Sequence, residues 1–142
     1  MGKRILVPVD GSEQAHCAAD FVVEEHPDAV MVLLHVINPA DAGYNVQASI
    51  PTFSEDWFEG QKDRARGLFD DIEADAETAN VPVERVIEVG KPTQAIVEYA
   101  EDNDIDQIVM GSHGRAGVTR ILLGSVAETV VRRSPVPVTV VR

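Results

Sequence analysis

Apolar and polar positions alternate along this chain in blocks of two kinds. Five short apolar runs are rich in β-branched residues: "RILVPV" (4–9), "AVMVLLHVI" (29–37), "VERVIEV" (83–89), "DQIVMG" (106–111) and "VPVTVV" (136–141). Their length, their β-branched content and the breakers at their ends predict strands rather than buried helix turns. The segments between them repeat apolar residues every three or four positions, the helical spacing. "SEQAHCAADFVVEEH" puts Ala15, Ala18, Ala19 and Val22 on one face, and residues 54–80 repeat Ala65, Leu68, Phe69, Ile72, Ala76 and Ala79. "PTQAIVEYAEDN" gathers Ile96, Tyr99 and Ala100 behind Pro92, a residue suited to a first helical turn, and "SVAETVVRR" carries Val126, Val130 and Val131. Strand and helix alternate throughout. That order predicts βαβ units, a parallel sheet and an α/β layered fold, with residues 1–142 as one domain.

Two departures from the rhythm add detail. "NPADAGYNVQASIPTF" (38–53) mixes prolines, glycine and polar residues and reads as a long lid or binding loop after the second strand. Pro137 falls inside the last apolar run, and strand prolines belong on sheet edges. An edge this apolar and uncharged is an aggregation hazard if left open. The expected cover is the same strand of a second copy, a homodimer through Val136–Val141. Pro8 lies near the end of the first strand, just ahead of the turn "DGSE".

Charge removes several partners. Twenty-four acidic residues against twelve basic ones give a formal charge of −12, and only Lys3, Lys62 and Lys91 are lysines. Such a surface repels nucleic acid and anionic lipid, so neither is expected. The acidic clusters read as a solvated coat that suits a high-salt, halophilic cytoplasm, where screening relieves self-repulsion. The single Cys17 makes no internal disulfide and, like Met110, reads as a packing residue. The apolar part of "MGKRILVPVDG" is too short for a signal peptide, and no apolar stretch approaches the ~20 residues of a membrane span. A cytoplasmic location is the expectation.

Candidate chemistry concentrates in "MGSHGRAGVTRILLGSV" (110–126), which holds four of the ten glycines. Parallel sheets bind ligands beyond the carboxyl ends of their strands, and Asp10 and Gly111 close the first and fourth. Gly111, Gly114 and Gly124 let backbone approach a ligand, and Gly124 leads into a helix whose unpaired N–H groups suit phosphate. Three or four such bonds reach about −8 kcal/mol after ordering costs, a dissociation constant of about 1 μM. Simpler roles stand beside these. Ser125 opens "SVAE", a capping box in which Glu128 reaches back, and Asp10 before Gly-Ser fits an Asx turn. His113 fits a loop hydrogen bond, and Arg115 and Arg120 are the nearest cations in sequence. Arg132 and Arg133 complement the dipole of the last helix. No P-loop, dinucleotide fingerprint, nucleophile elbow or Cys/His metal spacing is present. Phosphoryl transfer wants a cationic clamp, metal-holding carboxylates and a water-positioning group, and beyond Asp10, His113 and Arg115 the sequence supplies none, so fast ATP hydrolysis is not expected.

The run "GSHGRAGVTRILLGS" fits G-x2-G-x9-G-[ST], and with "ILVPVDGSE", "LLHV", "VGKP" and "SPVPVTVVR" the chain resembles, nearly end to end, the ATP-binding branch of the universal stress protein family. The resemblance implies a Rossmann-like open twisted five-stranded parallel sheet, order 3-2-1-4-5, with helices on both faces and the nucleotide over strands one and four. It implies that Asp10 holds adenine or ribose polar atoms, that Pro8 and Val9 line the adenine, and that Val36 offers backbone contact. Gly111 and Gly114 would approach ribose and phosphates, with Met110, Ser112 and His113 nearby. Gly124, Ser125 and Val126 would bind phosphate. The implied ligand is ATP or another adenine nucleotide, with Mg or Mn held mainly by its phosphates. The implied role is a dimeric stress-response or signalling module acting on a protein partner that the resemblance leaves unnamed. The alternatives are a slow ATP hydrolase, with His113 or Asp10 orienting water, and a non-catalytic chaperone-like dimer.

Overall fold

The computed structural model describes residues 2–40, 55–78, 80–112 and 124–142. Along the chain run β1 (Arg4–Pro8), α1 (Glu13–Glu25), β2 (Val30–Ile37), α2 (Glu55–Thr78), β3 (Val83–Val89), α3 (Pro92–Asp102), β4 (Gln107–Gly111), α4 (Ser125–Arg133) and β5 (Val138–Val141). All five expected strands form, joined in parallel in the order β3-β2-β1-β4-β5. The strand order reverses between β1 and β4, where Ile5 faces Gln107 and Leu6 faces Ile108.

Alternation along the strands feeds two cores, one on each face. Ile5, Val7, Met31, Leu33 and Val109 pack with Ala15, Ala18, Ala19 and Val22 of α1 and with Ala65, Phe69 and Ile72 of α2. Leu6, Val32, Leu34, Ile108 and Met110 pack on the other face with Ile96 and Ala100 of α3 and Ala127 and Val130 of α4. Each fully buried Val, Leu, Ile, Phe or Met side chain contributes about 1.5–3 kcal/mol. Burial on both faces is why the strands read as continuous apolar runs.

The two sheet edges differ. At β3, Arg4 pairs with Glu84 at 2.7 Å, and Arg85 pairs with Asp70 at 2.6 Å and with Glu73. The bonds from Glu73 and then Asp70 hold the Arg85 guanidinium above its usual pKa. At β5 the edge is Val-Thr-Val-Val, half-buried throughout.

Three expectations need correction. Pro137 does not lie within the strand: β5 begins at Val138, and Pro137 offers the ladder only its carbonyl, which accepts from Ile108 N–H at 2.9 Å. Lacking an N–H, proline fits where only an acceptor is needed. Val131 is 45 % exposed, because Ala127 and Val130 take the sheet-facing stripe of α4 and Val131 lies a further ~100° round the helix. Cys17 is exposed rather than packed, since Ala15, Ala18, Ala19 and Val22 occupy the buried side of α1. The expected loop falls outside the described residues from residue 41 onward, as do the side chains of Ala76 and Ala79.

Candidate functional site

Three strands deliver their carboxyl ends to one cleft at the β1/β4 reversal. β1 ends at Pro8 and passes through Val9, whose N–H donates to the Leu34 carbonyl at 2.8 Å, into Asp10. Gly11 then adopts φ of +85°, a turn that side-chain-bearing residues resist, and the chain enters α1. Asp10 forms the expected Asx turn: its Oδ1 accepts from Ser12 N–H at 3.0 Å and from Ser12 Oγ–H at 2.5 Å. Ser12 in turn caps α1, its Oγ accepting from Ala15 N–H at 3.2 Å. Both letters of "DGS" that carry oxygen are therefore committed locally, while Asp10 Oδ2 accepts no hydrogen bond among the described residues.

β4 ends at Gly111, where α1 crosses closely. A Cβ there would sit 2.5 Å from Gln14 Cβ and 3.0 Å from the Gln14 backbone, so only glycine lets helix and strand meet. Ser112 follows, 2 % exposed. Its N–H donates to the Val141 carbonyl at 2.9 Å, and its carbonyl accepts from Gly124 N–H at 2.6 Å. The two ends of the glycine-rich segment are thus stitched together. His113 and Gly114, with Arg115 and Arg120, lie outside the described residues.

Gly124 is the N-cap of α4, with φ −70° and ψ 167°, extended backbone that any residue adopts. Its carbonyl accepts the first helical bond from Glu128 N–H at 2.9 Å. Ser125 is consequently the first helical residue and not the cap, and no side chain caps this helix. This corrects the capping-box reading of "SVAE". Glu128 points instead to Arg132, 3.3 Å away. Because Gly124 N–H is committed to Ser112, the donors left for an anion are the N–H groups of Ser125, Val126 and Ala127, which have no intrahelical partner.

These pieces line a single cavity of about 400 Å³, within the range of small-ligand sites. Of the expected residues, Pro8, Val9, Asp10 and Val36 line it from β1 and β2. Met110 and Gly111 line it from β4, and Gly124, Ser125 and Val126 from the start of α4. Met110 is also 5 % exposed, so it serves the core at the same time. Among the further lining residues that the sequence did not single out, Gln14, His35, Asn38, Gln61 and Arg64 bring polar side chains to the cleft. Gln14 Oε1 is buried there with no hydrogen-bond partner among the described residues. His35 Nδ1 lies 2.7 Å from the Val9 carbonyl, an acceptor only, so this nitrogen carries the proton and donates. The bond ties β2 to the turn that carries Asp10. Among the described residues no group of three or more His, Cys, Asp or Glu is arranged to hold a metal ion, and no helix is long and apolar enough to cross a membrane.

The universal stress protein family model matches residues 1–142. Universal stress protein MJ0577 of Methanocaldococcus jannaschii is 34% identical over 157 aligned positions, covering 100% of this chain and 96% of that protein. Its solved structure superposes with a TM-score of 0.85 at 35% identity, covering 99% and 96% of the two chains. Universal stress protein UspA from Lactobacillus plantarum superposes at 0.83 with 30% identity, covering 99% and 97%. An Arabidopsis thaliana family protein with AMP bound shares the fold at a TM-score of 0.70 and 20% identity, covering 98% and 90%. Full-length agreement with one family model, and with relatives a third identical that carry the same family name, establishes that the chain belongs to the universal stress protein family.

Proposed function

We propose that the chain binds an adenine nucleotide, ATP in the first instance, in the β1/β4 cleft and works as a nucleotide-loaded signalling module in a stress response. One observation carries the reading. The start of α4 has no side-chain cap, keeps the N–H groups of Ser125, Val126 and Ala127 for an anion, and opens on the same cleft as Asp10 and Val36. The base lies against Pro8, Val9 and the Val36 backbone, the ribose reaches Asp10 Oδ2, and the phosphates run past Gly111 to Ser125 and Val126. Of the other expected contacts, His113 and Gly114 lie outside the described residues, and Ser112 is buried and is not among the residues that line the cavity. Mg or Mn travels with the phosphates. The Arabidopsis relative, in which AMP is bound, supports the ligand class at the level of the shared fold.

The reading is binding rather than turnover. Asp10 Oδ1 is committed to Ser12 and His35 Nδ1 to Val9, so the polar groups nearest the ligand serve structure first. The protein acts in the cytoplasm as a homodimer through Val136–Val141. The dimer is supported by the half-buried, uncharged β5 edge and by the exposed Val131 on the helix that precedes it. The nucleotide state is read by a protein partner.

The test is thermal. ATP at about a hundred times its dissociation constant adds ~2.7 kcal/mol, raising the melting temperature by roughly 5–10 °C. No shift at millimolar ATP would overturn the reading. A monomeric mass at micromolar concentration would remove the dimer alone.

A further inference from the structure

α2 is the most acidic element of the chain, with nine Asp and Glu residues among its 24. Its three cations are treated differently. Lys62 is held by Glu59 at 3.8 Å and Arg66 by Asp63 at 2.5 Å, each by the residue three positions earlier. Arg64 stands between them in sequence, yet its helical neighbours are Gly60 and Gln61 before it and Gly67 and Leu68 after it. None is acidic. Arg64 makes no ion pair or hydrogen bond among the described residues. Among the three cations of α2, Arg64 is thus the exception, the one with no carboxylate at helical reach.

Its placement gives the exception a direction. Gln61, Arg64 and Leu68 follow the three-and-four spacing of one helix face, and all three line the cleft. Leu68 anchors that face over the β1 turn, where a Cβ on Gly11 would lie 3.7 Å from Leu68 Cδ2. Arg64 sits one helical turn further toward the N-terminus of α2. Gly60 and Gly67 flank it, and a Cβ at either would meet nothing within 4 Å. The guanidinium therefore has room to move over the cleft. It is the only lysine or arginine among the described residues that line the cavity, facing Asp10 and His35 as the other ionisable groups.

We propose that Arg64 reads the phosphate chain of the bound nucleotide from the α2 side, opposite the backbone donors at the start of α4. The cleft then takes adenine nucleoside polyphosphates in preference to the monophosphate or the nucleoside. The chemistry is a charge-assisted, fork-shaped contact to phosphate oxygens, which a guanidinium suits better than an ammonium. The backbone donors of Ser125–Ala127 serve the phosphate chain from the α4 side, and Arg64 adds a contact whose strength grows with the number and charge of the phosphates. This inference rests on the nucleotide-binding reading above and deepens it.

Calorimetric titration of the full chain with ATP, ADP, AMP and adenosine tests it, alongside Arg64→Ala, Arg64→Lys and Arg66→Ala. Arg64→Ala is expected to weaken ATP about tenfold and AMP less than about twofold, with Arg64→Lys in between. Arg66→Ala, which loses only its contact with Asp63, leaves every affinity as it was. The steep salt dependence of ATP binding flattens in Arg64→Ala alone. An equal loss for ATP and adenosine, or no loss for ATP, overturns the role of Arg64 while leaving the nucleotide reading intact. A parent protein that binds none of the four compounds overturns both.

Discussion

Two helices begin at the mouth of the same cleft and end their first turns in opposite ways. α1 brings its own anion: Asp10 folds back on Ser12, and Ser12 caps Ala15, so a carboxylate already complements the positive end of the dipole. α4 brings none. Its cap is a glycine, its serine lies one position too late to cap, and its first acid is drawn away to Arg132. Both helices follow a parallel strand, α1 four residues after β1 and α4 thirteen residues after β4, but the contrast does not come from connection length. It comes from which residue stands at the N-cap. A terminus closed by its own side chains contributes to stability, whereas one left open keeps its donors for something else.

The largest disturbance breaks the frame that holds both termini. Gly111→Ala drives a Cβ against the Gln14 backbone, which cannot swing aside as a side-chain tip would. Overpacking of this kind costs about 2–3 kcal/mol, and the melting temperature should fall by roughly 4–12 °C in a calorimetric scan. Nucleotide affinity should fall with it, because α1 moves away from the cleft. A stability within experimental error of the parent would mean that helix and strand are not tightly seated at this point.

Next in size is the substitution that makes α4 resemble α1. Gly124→Asp is compatible with the extended backbone at that position and supplies the missing cap. Helix and protein should gain a few tenths of a kcal/mol, while nucleotide affinity drops by about thirtyfold or more as the new carboxylate occupies the donors. Stability and binding should therefore move in opposite directions. If ATP binds the variant as tightly as the parent, the donors at Ser125–Ala127 are not the phosphate site.

The contrast between the two termini was only partly readable in the sequence. Strands buried on both faces announce themselves as β-branched runs, which made the five-strand α/β class legible. The "DGS" turn was legible as well, since Asp10 and Ser12 act within three residues of each other. "SVAE" has the letters of a capping box, but which residue caps depends on which carbonyl accepts the first helical bond, and Gly124 takes it. Spacing alone cannot decide a shift of one residue. Gln14, His35, Gln61 and Arg64 were missed because α1, β2 and α2 reach the cleft from separate parts of the chain, with no local pattern linking them. Arg64 did leave a trace: a basic residue in an acidic helix without an acid three or four positions away.

The finest test compares the two serines. Ser12→Ala removes the side-chain cap of α1, leaves Ala15 N–H only its bond to the Ser12 carbonyl and frees Asp10 Oδ1 from its hydroxyl donor. A loss of about 1 kcal/mol in stability is expected, with nucleotide affinity changed by less than about twofold. Ser125→Ala should do the reverse. Its hydroxyl is exposed and caps nothing, so stability stays within about 0.5 kcal/mol of the parent. Affinity for ATP should fall about fivefold as one phosphate hydrogen bond is lost. Denaturant titration and calorimetry on the two variants and their double mutant give both readouts, and the two effects should add, since the serines share no partner. Were Ser125→Ala to destabilise the fold as much as Ser12→Ala, the serine at the start of α4 would be a structural cap after all, and the distinction between a closed and an open terminus would collapse.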